Sequence, residues 1–268
     1  MHPDLFSIGP ITVKTYGFCM ALGFFVAWQV LGWLCRRDGR RPESYSNLMV
    51  YLLLGGVLGS RAAYVVEHWS VEFAAHPADV VKIWQGGLMF YGGLILDIVI
   101  FLVWCAVRRE KALEVADLLA AVIPLGHAFG RVGCFFYGCC YGRQSDAAWA
   151  VAFPRGSPAW HEQAQAGLID WSAAASLPVL PAQLVEAVAV LALFGVIFAV
   201  YRRFHAVLPG FSTGCYLAGY AVVRFALEFL RGDPRAAVGG LSIGQTLSLL
   251  IFSAGLTFMV VAFRRKKA

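Results

Sequence analysis

The residues of this chain best placed to do chemistry are charges set in apolar surroundings. Arg61, Asp97, Asp117, Arg131, Glu186, Arg224 and Glu228 all stand inside or at the edges of long hydrophobic runs. A charged side chain at mid-bilayer costs about 2.5–3.5 kcal/mol on insertion scales, so such residues face a partner or a wet cavity. Asp97 and Asp117 read best as snorkelling groups or helix-to-helix pairs. Arg224 and Glu228 are four residues apart, on one helix face and within pairing reach. Arg61, Arg131 and Arg224 come from three different helices, each in the outer half, which predicts an outward-facing cavity with several guanidinium groups. A guanidinium stays charged when desolvated and matches phosphate oxygens two at a time. Phospholipid phosphate is the nearest such anion.

A second constellation is the segment Gly126 to Arg143, GHAFGRVGCFFYGCCYGR. Its glycines argue against a good helix, and irregular backbone at membrane depth is tolerated only where protein buries it or it lines water. The segment is therefore expected to break the fourth span at its outer end and to let a headgroup approach the backbone. Cys134, Cys139 and Cys140, with His127, permit a metal or redox reading. Zinc pairs favour C-x₂₋₄-C spacing, however, and small polarizable packing residues are the preferred reading, with no metal.

The elements that must position these residues follow from composition. Charged residues make up 14% of the chain and hydrophobic ones 59%, with a mean hydropathy of +0.67, against about a quarter and a half in soluble domains. The expected fold is all-α and polytopic, with about seven spanning helices. They lie near Tyr16–Leu34, Asn47–Val66, Gly87–Val107, Val115–Phe136, Pro181–Tyr201, Gly210–Leu230 and Leu241–Phe263. Met1 to Gly9 lack the positive region of a cleavable signal peptide.

Four basic clusters punctuate the spans: Arg36, Arg37, Arg40 and Arg41; Arg108, Arg109 and Lys111; Arg202 and Arg203; Arg264 to Lys267. All fall on one side if the spans alternate, and they hold more than half of the 22 Lys and Arg residues. The positive-inside rule makes that side cytoplasmic, with the N-terminus outside and the C-terminus inside. This placement also explains the +6 net charge without nucleic acid, which would call for a basic stripe on a polar face. The chain reads as a single integral membrane domain, 1–268, with an outer head insertion at 137–180. Trp149, Trp160 and Trp171 suit a small cap in or on the headgroup layer.

At these residues the sequence resembles the prolipoprotein diacylglyceryl transferase family. The similarity starts at Gly9-Pro10 and Thr15-Tyr16-Gly17, runs through Gly55 to Tyr64 around Arg61, and reaches Phe90-Tyr91-Gly92-Gly93-Leu94-Ile95. Its centre is Gly130-Arg131-Val132-Gly133-Cys134-Phe135, closed by Gly138 and Tyr141-Gly142-Arg143. Pro181 to Glu186, Gly219-Tyr220 with Arg224, Glu228 and Arg231, and Ser242-Ile243-Gly244-Gln245 complete it. Three positions depart from the pattern: Tyr91 stands where many members have histidine, Cys134 where many have asparagine, and Cys139 where many have glutamate. Tyrosine has an unperturbed pKa of about 10 against about 6.5 for histidine, so general-base duty at neutral pH is harder for Tyr91.

The resemblance implies a bacterial inner-membrane transferase, its site facing the periplasm and its chemistry free of metal or organic cofactor. It would move diacylglyceryl from phosphatidylglycerol to the lipobox cysteine of a prelipoprotein signal peptide, releasing glycerol phosphate. Arg131 and Arg224 would clamp the phosphate, Glu228 would position Arg224, and Arg61 and Arg231 would hold the headgroup or a neighbouring carboxylate. Tyr16, Tyr91 and Tyr220 are candidates for hydrogen bonds to glycerol or thiol, or equally for interfacial anchors; Gln183 and Gln245 are weaker candidates. Gly92, Gly93, Gly133, Cys134, Gly138 and Gly142 would shape the substrate site. Two other functions fit the same arginines: a phosphatidylglycerol-dependent transferase with a different acceptor, and a non-catalytic lipid-binding or transport protein.

Overall fold

A computed structural model describes residues 4–8, 11–231, 237–238 and 240–267; the Gly9-Pro10 pair lies outside them. Helices dominate, and six among the described residues are long and apolar enough to cross a membrane: Thr15–Arg37, Pro42–Phe73, Phe90–Arg108, Ala112–Tyr137, Ala182–Phe204 and Ile243–Lys266. The remaining predicted span, Gly210–Leu230, coincides with a helix of 18 residues, Phe211–Glu228. An antiparallel hairpin of β1 (Asp4–Ile8) and β2 (Ile11–Lys14) precedes the first helix. The chain divides into two units, one of Met1–Val30 with Ala116–Ala268 and one of Leu31–Val115.

The smaller unit is built on α2 (Pro42–His68) packed against α3 (Phe90–Arg108). Helices in lipid gain little from apolar burial and associate by close backbone approach through small residues. Gly59 sits on Gly92 so closely that a Cβ on Gly59 would come within 2.5 Å of the Gly92 carbonyl oxygen. A Cβ on Gly93 would fall 2.5 Å from Ser60 Oγ and 2.6 Å from the Gly56 carbonyl. Gly92 and Gly93, expected to shape a substrate site, thus form the α2–α3 seam. Asp97 presses its carboxylate on the same seam, where a Cβ on Gly56 would be 3.2 Å from Oδ2.

Between α2 and α3 runs an irregular stretch, a π turn at Trp69–Phe73 and 3₁₀ turns at Pro77–Val81 and Ile83–Gln85. Arg61 stitches it down. Its Nε donates to the Val80 carbonyl at 2.8 Å, Nη1 to Gly86 and Gly87 at 2.8 and 3.3 Å, and Nη2 to Asp79 at 2.7 Å. The expected partners were a headgroup or a carboxylate. In the structure Arg61 bonds these loop carbonyls, with the Asp79 carboxylate close enough to interact electrostatically.

The larger unit holds the first half of α1 (Thr15–Arg37), α5 (Ile123–Tyr137), α7 (Ala182–Phe204), α8 (Phe211–Glu228) and α9 (Ile243–Lys267). Preceding α5 is the short α4 (Ala112–Ala120). Within the glycine-rich segment residues 126–137 are helical and the helix stops at Gly138, at the end of the span where the break is expected; a further interruption lies earlier, at 121–122. Pro124 explains it, since proline has no N–H to donate and its ring clashes with the carbonyl of residue 120. Glycine weakens a helix by roughly 1 kcal/mol relative to alanine, but here close packing on α1 compensates. A Cβ on Gly133 would lie 3.1 Å from the Tyr16 ring, and one on Gly23 only 2.6 Å from Phe129 Cβ.

Asp117 caps α8 from another helix. Fully buried, its carboxylate accepts from Gly210 N, Thr213 N and Thr213 Oγ1, each at 2.7 Å. These are N-terminal donors that the helix itself cannot satisfy. The head begins after Tyr137 and contains α6 (Pro158–Gln165), capped by Ser157. Its small core is Phe153, Ala159 and Val179, with Phe135 and Tyr141 packed on it. Trp160 is buried there with its indole donating to Ala173 O at 2.8 Å, so it serves the core and not a headgroup layer; Trp149 and Trp171 are half exposed.

Candidate active site

Helical spacing sets the charged residues of the larger unit on facing surfaces. His127 and Arg131 are one turn apart on α5, Gln183 and Glu186 on α7, and Tyr216, Tyr220, Arg224 and Glu228 descend α8 at four-residue steps. Since α7 packs against both α5 and α8, these faces meet at Glu186, which is 4% exposed.

Arg131 Nε lies 3.0 Å from Glu186 Oε1 and donates to His127 Nε2 at 3.1 Å. His127 Nε2 is also 3.5 Å from Glu186 Oε1. Tyr220 donates its hydroxyl to that oxygen at 3.4 Å, and its ring meets the His127 ring edge to face at 5.2 Å. Arg224 acts electrostatically on both Glu186 and Tyr220.

Arg224 Nη1 is 3.0 Å from Glu228 Oε2, the intrahelical pair that the spacing predicts. Glu228 is held in turn by Ser242, whose hydroxyl donates to Oε1 at 2.7 Å, and by Gly244, where a Cβ would stand 2.9 Å from the carboxylate. Gln245 accepts from Ser242 N at 3.1 Å through Oε1, so it organises the start of α9. Gln183 is fully buried and donates to Cys139 O at 2.7 Å, bracing the turn after α5.

Each arginine is therefore matched by one carboxylate. Nε of Arg131 is committed to Glu186 and His127, and the guanidinium is also hydrogen-bonded to the Tyr220 hydroxyl. Around this centre lie Tyr16, tilted on Tyr137 at 6.1 Å, and Cys134, Cys139 and Cys140. Hydrogen bonding from Cys134 and Cys139, reinforced by Arg131 and Arg231, holds the Cys140 thiol far below the ordinary thiol range, while hydrogen bonding with Cys134 and Cys140, together with burial, pushes Cys139 up. Gly138 and Gly142 seat the head: a Cβ on Gly138 would meet Phe153 and Ser157 at 3.0 Å, and one on Gly142 the Leu230 carbonyl at 2.7 Å. Arg231 borders, with Arg143 and Glu162, a cleft of about 380 Å³ in the head.

Of the residues expected at the site, Arg131, Tyr220, Arg224, Glu228, Gln183, Gln245, Tyr16, Gly133, Cys134, Gly138, Gly142 and Arg231 belong to this unit. Arg61, Tyr91, Gly92 and Gly93 belong to the other. Tyr91 is more than half exposed, its ring edge-on to Phe90. Glu186 and His127 were missed as members of the site. The signal for His127 was its position four residues before Arg131, and for Glu186 its isolation as a carboxylate in an apolar span.

A multi-pass membrane protein with paired arginines and carboxylates between its helices is the class that fold and site define. A family profile described as prolipoprotein diacylglyceryl transferase matches residues 3–261, and the chain belongs to that family. A relative from Rhodospirillum rubrum is 35% identical over 278 residues, covering 99% of this chain and 94% of its own length. One from Burkholderia cenocepacia is 35% identical over 294 residues, with 100% and 98% covered. One from Vibrio vulnificus is 35% identical over 279, with 99% and 93% covered. All three are named phosphatidylglycerol–prolipoprotein diacylglyceryl transferase.

Proposed function

We propose that this protein transfers diacylglyceryl from phosphatidylglycerol to the lipobox cysteine of a prelipoprotein in the bacterial inner membrane. The observation that carries the reading is the coupled pair of arginines, Arg131 on Glu186 and Arg224 on Glu228, each at 3.0 Å, in a chain of this family. The cysteine sulfur attacks the glyceryl carbon that bears the phosphate. The C–S bond forms, the C–O bond breaks and glycerol phosphate leaves with the electron pair. Fixed cations aimed at the departing oxygen lower that barrier because they need no reorganisation as charge develops.

The thiol must also lose its proton, since a free cysteine, with a pKa near 8.5, is mostly protonated at neutral pH. With tyrosine at position 91, we assign proton uptake to His127, whose ring lies beside Glu186 and Arg131 and which must release its bond to Arg131 to take the proton. Glu186 and Glu228 are positioning residues, and Tyr220 orients Glu186. Arg61 holds its loop and takes no part in headgroup binding. The residues 137–180 form a head on the periplasmic side, a reading supported by the basic clusters at the opposite ends of the spans.

Expression in a cell depleted of its own diacylglyceryl transferase tests this. Survival with lipid-modified lipoprotein is expected. If the protein reaches the membrane but fails to rescue, yet transfers diacylglyceryl in vitro to a small thiol or amine, the acceptor assignment falls.

A further inference from the structure

Helix α5 ends at Gly138, whose φ is +84°. Gly138 N and Cys139 N both donate to Cys134 O, at 2.9 and 3.2 Å. This closing turn lays the residue after the glycine onto the residue five positions earlier, so Cys139 comes against Cys134 by local geometry alone. The third thiol needs more. Cys140 has a φ of +59°, one of two positive values at non-glycine positions among the described residues, and L side chains there cost about 1–2 kcal/mol. The outcome is that the Sγ atoms of Cys134, Cys139 and Cys140 all lie within 4.8 Å of one another. C-x₄-C-C spacing argues against a metal on a regular helix or strand; left-handed residues at 138 and 140 remove that objection.

Three sulfurs bound to one zinc ion at about 2.3 Å stand roughly 3.8–4.0 Å apart. Side-chain rotation of under about an ångström therefore converts the cluster to a coordinating one. Cys140 opens on the head cleft beside Arg143 and Arg231, which gives an ion an entrance and a fourth ligand its place. Three thiolates around a divalent ion carry one net negative charge, and Arg131 and Arg231 both act electrostatically on Cys140.

We propose that Cys134, Cys139 and Cys140 form a three-thiolate binding site for a thiophilic closed-shell cation of the zinc class. Binding releases the remaining thiol protons to solvent and involves no electron transfer. The ion would clasp the end of α5, one turn from Arg131, to the first residues of the head, independently of which acceptor the enzyme uses.

The test is titration of the full-length protein, purified in detergent under reducing and anaerobic conditions, with Cd²⁺ and then Zn²⁺ in competition. Expected are one cadmium per chain, a thiolate-to-cadmium charge-transfer band, and a higher apparent cadmium dissociation constant when a large excess of zinc is present. Removing even an outer partner of a metal ligand weakens affinity about 10–100-fold, so Cys139→Ser and Cys140→Ser should each weaken binding by at least that range, with Cys215→Ser unchanged. The proposal is overturned by absence of the band, by equal affinity in well-folded Cys139→Ser and Cys140→Ser, or by a disulfide among the three that persists when metal is supplied during purification.

Discussion

Replacing Arg131 by lysine keeps the charge and removes the fork. The guanidinium gives Nε to Glu186 and His127 at 3.0 and 3.1 Å, and in the proposed clamp its Nη edge, shared with Tyr220, turns to phosphate. A lysine ammonium has one position to occupy, and the nearest opposite charge is the buried Glu186 carboxylate. It settles there, and the phosphate loses both contacts. Hydrogen bonds to charged groups contribute about 1.5–3 kcal/mol each. If one of the two tightens as the phosphate oxygen departs, kcat falls about 10- to 150-fold at 1.36 kcal/mol per decade; the portion already present in the bound state appears as a higher KM. The assay is transfer from phosphatidylglycerol to a lipobox peptide in micelles, with lipid varied at saturating peptide. Because the ion pair to Glu186 survives, the melting temperature should stay close to that of the parent. A variant that melts normally and keeps kcat and KM within about threefold of the parent would refute the clamp.

Arg224→Lys should lower turnover at least about tenfold by the same loss of a planar fork; near-parental transfer would exclude Arg224 from the phosphate. Asp117→Ala strands three donors at the start of α8 and should destabilise by on the order of 3 kcal/mol, with Asp117→Asn intermediate, read by thermal unfolding in detergent. Gly92→Val forces a side chain onto the Gly59 carbonyl and Ala63 and should cost about 1–3 kcal/mol through overpacking, read the same way. Arg61→Ala frees four loop carbonyls and should speed proteolytic cleavage between residues 69 and 89. Unchanged cleavage with a raised KM for phosphatidylglycerol would instead put Arg61 on the lipid.

Much of the scaffold was legible because lipid imposes one strong constraint. Long apolar runs between basic clusters become helices whose ends lie near the predicted ones, as with Tyr16–Leu34 against Thr15–Arg37. Where partners lie on different helices, sequence carries only half the information. Glu186 was conspicuous as a charge, yet its union with Arg131 depends on the rotation of α7 against α5. The glycines of α5 misled for a related reason: intrinsic propensity opposes a helix there, and contact with α1 overrides it. Arg61 stood out as a charge in an apolar span, but its destination, the carbonyls of an irregular loop, has no signature in residue types. Gly92 and Gly93 show the same ambiguity, since a ligand and a neighbouring helix both ask for a missing side chain.

The head is fastened at its neck. Gly142 N donates to Leu180 O at 2.8 Å, Leu180 N to Arg143 O at 3.0 Å, and Arg143 N to Leu230 O at 2.8 Å, so the chain leaves and re-enters through one cross-braced gate. Gly156 and Gly167 turn in open space at φ of +84° and +70°. An epitope or fluorescent reporter spliced at Gly156, away from the cleft that Ala166 and Leu168 line beside Cys140, should ride on the enzyme as cargo.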